Sequence, residues 1–293
     1  MARPHASNNG SKQLFFSHAY EHYFPDGEFG GYDAFLNAGG ESVKSERRTH
    51  VVVQRRPSGS PRDGERAFVI KSYYYPFFPS IRTGFQKSKA EREYLGLAYL
   101  KQAGLSAAEP VAFGSARSWL GLVQSCFVIT IFVEGSINLA QWRKECTSQP
   151  GHNWAQSAFV VEQIGSMFRR LHEERFFLFA TKPKNILIRH ASTEKPELFF
   201  IDVPYSRSVR WNPVARWAQA RDLGMFLGNF YPALTERETA AFYQGYLPDP
   251  LGGSESLLHT QVDRVTRSTQ HRTPLKAVFY PLKRAWKSKA CWF

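Results

Sequence analysis

The chain has 293 residues, of which 43% are hydrophobic and 15% aromatic. This apolar content is enough for a sizeable core and excludes a chain that is disordered throughout. The formal net charge of +13 indicates an anionic partner, such as nucleic acid, a phosphorylated glycolipid or an acidic membrane face.

Cysteine usage and hydropathy indicate the compartment. Cys126, Cys146 and Cys291 are scattered, without the spacing of a disulfide framework or a zinc site. We therefore expect a reducing, cytoplasmic setting. The N-terminal MARPHASNNGSKQ lacks an apolar core of signal-peptide length, and no apolar run is long enough to span a membrane. We expect a soluble or peripheral protein.

The first part of the chain reads as strands. Residues 1–27 begin with a polar stretch, which is followed by a stretch rich in aromatic side chains. We predict that this N-terminal leader packs on the surface of a domain. From Tyr32 a strand pattern runs into a turn that contains Gly39 and Gly40, and a hairpin of THVVVQRR and RAFVIKSYYY follows. This order suits the sheet that covers the nucleotide in kinases, with Lys71 near a strand end.

Two interpretations of these glycines and this lysine stay open. In a kinase-like sheet, Gly39 and Gly40 would let the backbone approach phosphates, and Lys71 would reach the phosphate oxygens. Alternatively, two adjacent glycines form an ordinary turn, and Lys71 is one of many exposed lysines.

The segment KSKAEREYLGLAYLKQAGL predicts a helix that stops at Gly104 and carries Glu91 and Glu93 in its first turns. A strand lysine followed by a glutamate on the next helix is the ion pair that fixes the phosphate-contacting lysine in kinases. Acidic residues in a first turn are also favoured by the helix dipole, so one of the two glutamates needs no further role.

A long apolar strand, 126–133, then leads to Glu134 and Gly135. A hinge at this place would offer free backbone groups to an adenine ring, although a long apolar strand is usually only core. Beyond it the pattern becomes helical, with helices predicted over 136–146 and 154–174. His172 near the second helix end is interpreted as a cap or packing residue.

Residues 171–202 are the segment around which the chain is organised. They predict a helix end, an irregular turn, a strand over 186–188, a polar loop and a second strand that closes on Asp202. In phosphotransferases of the protein-kinase type, a loop asparagine and an aspartate after the next strand hold metal ions. Asn185 and Asp202 occupy these positions. Five residues before Asn185, where the acceptor-orienting aspartate is expected, the chain has Ala180.

The remaining segments are helical and then basic. Asp222 is predicted near the start of an apolar helix, either bonding the loop backbone or complementing the helix dipole. TERETAAFYQGYL predicts another helix. From Arg264 to Phe293 no acidic residue occurs, and Lys and Arg alternate with Trp and Phe. This pattern is typical of an interfacial membrane anchor, with a solvated basic tail as the alternative, and Pro274 and Pro281 limit any helix there to short pieces.

Together these segments resemble the lipopolysaccharide kinase family (Kdo/WaaP type), from about Tyr32 to Tyr246. The resemblance implies an α+β, two-lobed protein-kinase-like fold, with a β-rich N-lobe (28–133) that carries one main helix, a helical C-lobe (134–250) and a C-terminal tail (251–293). The fragments that carry it are AEREYLGLAYLKQAGLSAAEPVAFG, LH at 171–172, KPKNILI, FFID and ARDLGMFL.

The resemblance also implies a chemistry. Family members use ATP and Mg²⁺ to phosphorylate lipopolysaccharide inner-core sugars at the cytoplasmic membrane face, and in this register Glu93 takes the ion-pair position and Glu91 faces solvent. The implied nucleotide-binding residues are Gly39, Gly40, Lys71, Glu93 and Glu134, with Asn185 and Asp202 on the metal and Lys182 on the transferred phosphate.

The sequence departs from the family pattern at 178–180, where Leu-Phe-Ala replaces a His-x-Asp-like triplet. Because a general base contributes ~10²–10⁴-fold, the loss at Ala180 would leave a slow enzyme. Two hypotheses follow. The first is an ATP-dependent kinase of a lipopolysaccharide core sugar, and the second is a pseudokinase that binds nucleotide or acts as a scaffold in envelope biogenesis. No nucleic-acid recognition motif occurs, so such a partner is not expected.

Overall fold

The computed structural model describes residues 12–24, 31–58, 64–76, 83, 86–148, 154–193, 195–230, 233–252 and 254–270. The described residues form two compact units. The first comprises residues up to Ser136 together with Leu198–Ser206, and the second comprises Ile137–Glu197 and the residues from Arg207 onward. The outer parts of the predicted leader and most of the predicted basic aromatic tail, 271–293, lie outside the described residues.

The first unit is built on a six-stranded antiparallel sheet. Its strand order is β1-β5-β6-β4-β3-β2, so β4 is flanked by β3 and β6. The strands are β1 (Lys12–Phe16), β2 (Glu41–Glu46), β3 (Thr49–Arg56), β4 (Arg66–Tyr74), β5 (Pro110–Arg117) and β6 (Val123–Ile131). The predicted hairpin is confirmed as β3 and β4.

One face of this sheet is covered by an aromatic core. Residues 12–24 of the predicted leader contribute β1 and the buried Tyr23 and Phe24. The strand predicted from Tyr32 is wrong, because Tyr32–Leu36 forms a short helix, α1. Its buried residues follow the spacing of one helix face, which places Tyr32, Phe35 and Leu36 on the same core.

The main helix of the first unit is α2 (Lys89–Gln102). The Ser88 side chain caps it by accepting a hydrogen bond from the Glu91 amide at 3.1 Å, and Gly104 (φ 68°) follows its end as predicted. Glycine suits position 96, since an added Cβ would lie 2.5 Å from Ser206 Oγ and 3.0 Å from the Val203 carbonyl oxygen. This absence of a side chain lets α2 lie directly against residues 203–206.

The second unit is mainly helical. Its helices are α3 (Leu139–Ser148), α4 (Trp154–Glu173), α5 (Asn212–Gly228), α6 (Glu236–Tyr246) and α7 (255–270). The prediction that α5 starts near Asp222 is wrong, because the helix already begins at Asn212 with a proline in its first turn. Helix α7 packs on α5 at Gly224 and Gly228 and includes residues 264–270 of the predicted basic segment, whereas Pro274 and Pro281, which were predicted to limit helices there, lie outside the described residues.

Short strands complete the second unit. Strand β7 (Ile137–Asn138) pairs with β9 (Ile186–Arg189), and β8 (Phe176–Phe177) pairs with β11 (Arg207–Ser208). Strand β10 (Glu197–Phe200) ends in the first unit, where the Ala108 amide donates to the Phe200 carbonyl and the Phe200 amide donates to the Ser106 carbonyl, both at 3.0 Å. This pairing fixes the chain just before Asp202.

A buried ion pair ties α3, α4 and α6 together. Arg143 Nη1 donates to Glu238 Oε1 at 2.6 Å, and both side chains are 1% exposed. Ser157 donates to the same carboxylate, and the Thr235 amide donates to its other oxygen at 2.8 Å. Burial opposes the charge of Glu238, but these hydrogen bonds outweigh it and lower its pKa.

We expect Glu238→Gln to destabilise the protein by about 3 kcal/mol in urea unfolding at pH 7, because Arg143 keeps its buried charge without a counter-charge. Since the folded pKa of Glu238 is lowered, its stabilisation is complete above the unfolded pKa and is lost as the pH falls through the folded value. The free energy of unfolding of Glu238→Gln should therefore not show this decrease at low pH. Glu236→Gln, in the same helical turn but exposed, is the control, and equal effects of the two variants would contradict the assignment.

Candidate functional site

Lys71 lies in the centre of the sheet and is held in an ion cluster. On β4 it is opposite Val51 of β3 and Val128 of β6, and its side chain is 17% exposed. Its ammonium lies 3.2 Å from Glu93 Oε1 and 2.7 Å from Asp202 Oδ1. The ion pair predicted between strand and helix is therefore confirmed, and Asp202 joins it.

Glu93 is held from two sides. Its side chain is 4% exposed, and its second oxygen accepts a hydrogen bond from the Tyr73 hydroxyl at 2.8 Å. Burial, followed by the charge of Glu93, raises the pKa of Tyr73 well above its ordinary value, so the hydroxyl stays a donor. Tyr73 was not among the predicted site residues, although its two-residue spacing from Lys71 places both on one face of β4. Glu91 pairs instead with Lys87 at 3.6 Å.

The two carboxylates favour the charge of Lys71, although each disfavours the charge of the other. Burial opposes the Lys71 ammonium, but the charges of Glu93 and Asp202 outweigh it and raise the pKa of Lys71. Burial and then Asp202 raise the pKa of Glu93, against the opposing effects of Lys71 and Tyr73. The lysine is thus kept charged and in place, as a phosphate-contacting cation requires.

Asp202 has a backbone conformation that non-glycine residues rarely adopt. Its φ is 54°, in the left-handed region. The hydrogen bonds of Phe200 with Ser106 and Ala108 hold the preceding strand, and α2 lies against the residues that follow. Strained backbone of this kind persists where neighbouring structure fixes it and is concentrated at functional sites.

In the second unit, Asp222 anchors the loop that contains Ala180. Its carboxylate accepts hydrogen bonds from the Leu178 and Phe179 amides, both at 2.6 Å, and Phe179 has a φ of 60°. The predicted bond to the loop backbone is confirmed. The alternative of a helix-dipole charge is wrong, because Asp222 is buried well inside α5.

His172 precedes this loop, and Ala180, Lys182 and Asn185 belong to it or follow it directly. His172 is buried and its Nδ1 lies 2.7 Å from the Tyr246 hydroxyl, as expected of a packing residue. Ala180 is half-buried. Lys182 precedes a short 3-10 helix, Pro183–Asn185, which leads into β9. The roles of Lys182 in phosphate contact and of Asn185 in metal binding remain predictions.

The predicted glycines are not at a strand turn. Gly39 and Gly40 precede β2, whereas the β2–β3 turn is formed by Arg47 and Arg48. At Gly40, φ is 149° and an added Cβ would lie 2.5 Å from the Val53 carbonyl oxygen, so this position requires glycine for a close backbone approach. A phosphate contact by either glycine remains a prediction.

Glu134 follows β6, and its exposed carboxylate accepts a hydrogen bond from Arg55 at 2.9 Å. The next residue, Gly135, has a φ of 68°, so the chain turns sharply where the hinge was predicted. A contact of this segment with an adenine ring remains a prediction.

The donor set fits magnesium held partly by phosphates. Among the described residues, no group of three or more His, Cys, Asp or Glu side chains is arranged to hold a metal. Mg²⁺ is commonly bound through one or two protein oxygens and substrate phosphates, without an all-protein cage. Asp202 in the first unit carries oxygens of this kind, and so does Asn185 in the second, and the metal-binding role of each remains a prediction.

The fold is kinase-like. A solved structure described as "WaaP in complex with acyl carrier protein" is similar, with a TM-score of 0.61 and 17% sequence identity, covering 87% of this chain and 98% of that chain. The sequence model of the lipopolysaccharide kinase (Kdo/WaaP) family matches residues 39–246, most of the chain. The chain belongs to this family. Among curated proteins, none matches it significantly.

We expect Tyr73→Phe to lower the free energy of unfolding by about 1.5–3 kcal/mol, because it removes a buried hydrogen bond to the charged Glu93. Tyr74→Phe is the control, since it loses a bond to the neutral Leu36 carbonyl and should cost about 0.5–1.5 kcal/mol. Urea unfolding at pH 7 measures both. A smaller effect for Tyr73→Phe than for the control would contradict the role given to this hydroxyl.

Proposed function

We propose that this lipopolysaccharide-kinase-like protein uses ATP and Mg²⁺ to phosphorylate a sugar hydroxyl of the lipopolysaccharide inner core. The observation that carries the proposal is the ion cluster in which Lys71 lies 3.2 Å from Glu93 and 2.7 Å from Asp202. In kinases this lysine contacts phosphate oxygens, the glutamate fixes the lysine, and the aspartate holds metal. Family membership supports the same chemistry.

Each residue has a separate task in the proposed reaction. The acceptor oxygen forms a bond to the γ-phosphorus while the bond from that phosphorus to the β–γ bridging oxygen breaks, and ADP leaves. Lys71 would neutralise phosphate oxygens, and Lys182 would contact the transferred group. Asp202 and Asn185 would hold Mg²⁺, which when bound neutralises charge on the phosphates.

The alanine at position 180 affects only how the acceptor hydroxyl is oriented and where its proton goes. Without a carboxylate there, the acceptor proton would pass to water or to a phosphate oxygen. The backbone of the loop is nevertheless held by Asp222. Since phosphoryl transfer relies mainly on positioning and charge neutralisation, we propose a slow enzyme.

A basic aromatic surface of the second unit supports an anionic glycolipid acceptor. Arg207 lies 4.4 Å from the centre of the Phe179 ring, beside Ala180, and Trp217 lies 6.1 Å from that ring. A groove of about 640 Å³ between α5 and α7 continues from Trp217 and includes Arg216 and Arg264. Arginines suit phosphate groups, and the aromatic rings offer apolar faces to a sugar.

We propose a peripheral location at the inner face of the inner membrane. The supporting features are the basic groove and the basic aromatic residues after Arg264. Within the described part of the chain, no helix has the length and apolarity needed to cross a membrane. The related WaaP structure includes acyl carrier protein, so we propose that protein as a further partner to test.

A pseudokinase is the second candidate function, and Ala180 is the observation that favours it. In that case the chain would bind nucleotide, or serve only as a scaffold in envelope biogenesis, and would transfer no phosphate.

Nucleotide binding is tested by thermal unfolding of the whole protein with millimolar ATP, with and without Mg²⁺. We expect ATP with Mg²⁺ to raise Tm, because a ligand that binds only the folded state adds about 2.7 kcal/mol at 100 times its Kd. Asp202→Asn should remove the Mg²⁺-dependent part. Asp33→Asn, which changes an exposed carboxylate of the same unit, should keep it. If ATP does not raise the Tm of the wild-type protein, only the scaffold function remains.

Catalysis is tested by restoring the missing carboxylate with Ala180→Asp. We expect phosphate incorporation into core glycolipid to rise by about 10²–10⁴-fold, because the new carboxylate can orient the acceptor hydroxyl. Ala180→Asn is the matched control, since it adds similar bulk without the charge. If neither the wild type nor Ala180→Asp incorporates phosphate while both bind ATP, the pseudokinase function is correct.

A further inference from the structure

A second lysine, Lys89, lies beside the ion cluster of the first unit. It is the first residue of α2 and is half-buried. Its ammonium is 4.2 Å from the centre of the Tyr73 ring, and the Lys71 ammonium is 5.5 Å from the same centre. Tyr73 therefore contacts two cations with its ring and Glu93 with its hydroxyl.

Lys89 is a cation without a matching anion. Among the described residues it makes no ion pair or hydrogen bond, whereas Lys71 engages both Glu93 and Asp202. An ammonium has three donors, and the face of an aromatic ring replaces only part of the lost hydration. The ammonium can thus accept an anionic ligand without breaking an existing ion pair.

Three effects work against a positive charge at this position. Burial lowers the pKa of Lys89, and although Asp202 opposes this, the charge of Lys71 lowers it further. A cation in the first turn of a helix also opposes the helix dipole. Glu93, Cys126 and Tyr73 are the other titratable groups that face it, and Glu93 and Cys126 both act to raise its pKa. A bound anion would offset all three effects by its attraction to the ammonium.

We propose that Lys89 is a second phosphate-binding cation, which with Lys71 holds the polyphosphate of the nucleotide. Tyr73 lies between the two residues, with its ring facing the Lys89 ammonium and its hydroxyl donating to Glu93. The inference rests on the nucleotide binding proposed above and adds a residue to that site. A triphosphate with its Mg²⁺ remains anionic, so a second ammonium is a suitable partner for it.

The test compares two lysines that are two residues apart. Lys89→Met removes the charge and keeps an unbranched side chain on the Tyr73 ring. Lys87→Met removes an exposed lysine that pairs with Glu91 and is the matched control. Calorimetric titrations of each full-length variant with ATP, ADP and AMP in the presence of Mg²⁺ give the dissociation constants.

We expect Lys89→Met to weaken ATP binding about tenfold, which corresponds to about 1.4 kcal/mol, and to change AMP binding less than about twofold. Lys87→Met should leave all three affinities unchanged. Lys89→Arg should restore most of the ATP affinity, because it returns the charge. The difference between wild type and Lys89→Met should shrink in high salt.

The outcomes separate this inference from the proposed function. ATP binding by Lys89→Met at wild-type strength would overturn the inference and leave the proposed function standing. Equal weakening of ATP and AMP would show a structural role only and would also overturn it. A wild-type protein that binds no nucleotide would overturn both. Should Lys89→Met fail to fold, Lys89→Gln serves for the same comparison.

Discussion

The ion cluster of Lys71, Glu93 and Asp202 is the constraint on which the first unit depends. It joins the centre of the sheet, the main helix and the segment after β10 through contacts of 2.7–3.2 Å. Buried charges of this kind stabilise only when every member is present, since removing one leaves the others without compensation. The surrounding backbone is arranged accordingly. Phe200 is bonded to Ser106 and Ala108, and the left-handed Asp202 turns its side chain towards the lysine.

The second unit uses one buried carboxylate for a comparable purpose. Asp222 holds the amides of Leu178 and Phe179, so the loop geometry does not depend on the side chain at position 180. The backbone beside Ala180 is thus held in place although the Ala180 side chain carries no functional group. Binding and chemistry are separable in such an arrangement, which is why both an active kinase and a pseudokinase are compatible with one fold.

Part of this structure could be predicted from sequence, where the signal is local and periodic. The hairpin of β3 and β4, the helix α2 with its glutamate, and the buried stripe of α4 follow directly from residue spacing. The helix at Tyr32–Leu36 could not be found, because five residues are too few for periodicity to decide between helix and strand. The early start of α5 is marked in the sequence by Asn212-Pro213, since proline is favoured in a first helical turn. Tyr73 and Lys89 required coordinates, since their contacts join separate elements.

The glycine at position 96 has a mechanical consequence. Because α2 lies against residues 203–206 without an intervening side chain, a rotation of the helix would open that packing and withdraw Glu93 from Lys71 at the same moment. Closely packed interfaces of this kind have discrete arrangements and do not deform gradually. We therefore expect the helix to lose its contact with residues 203–206 and the Glu93–Lys71 ion pair together.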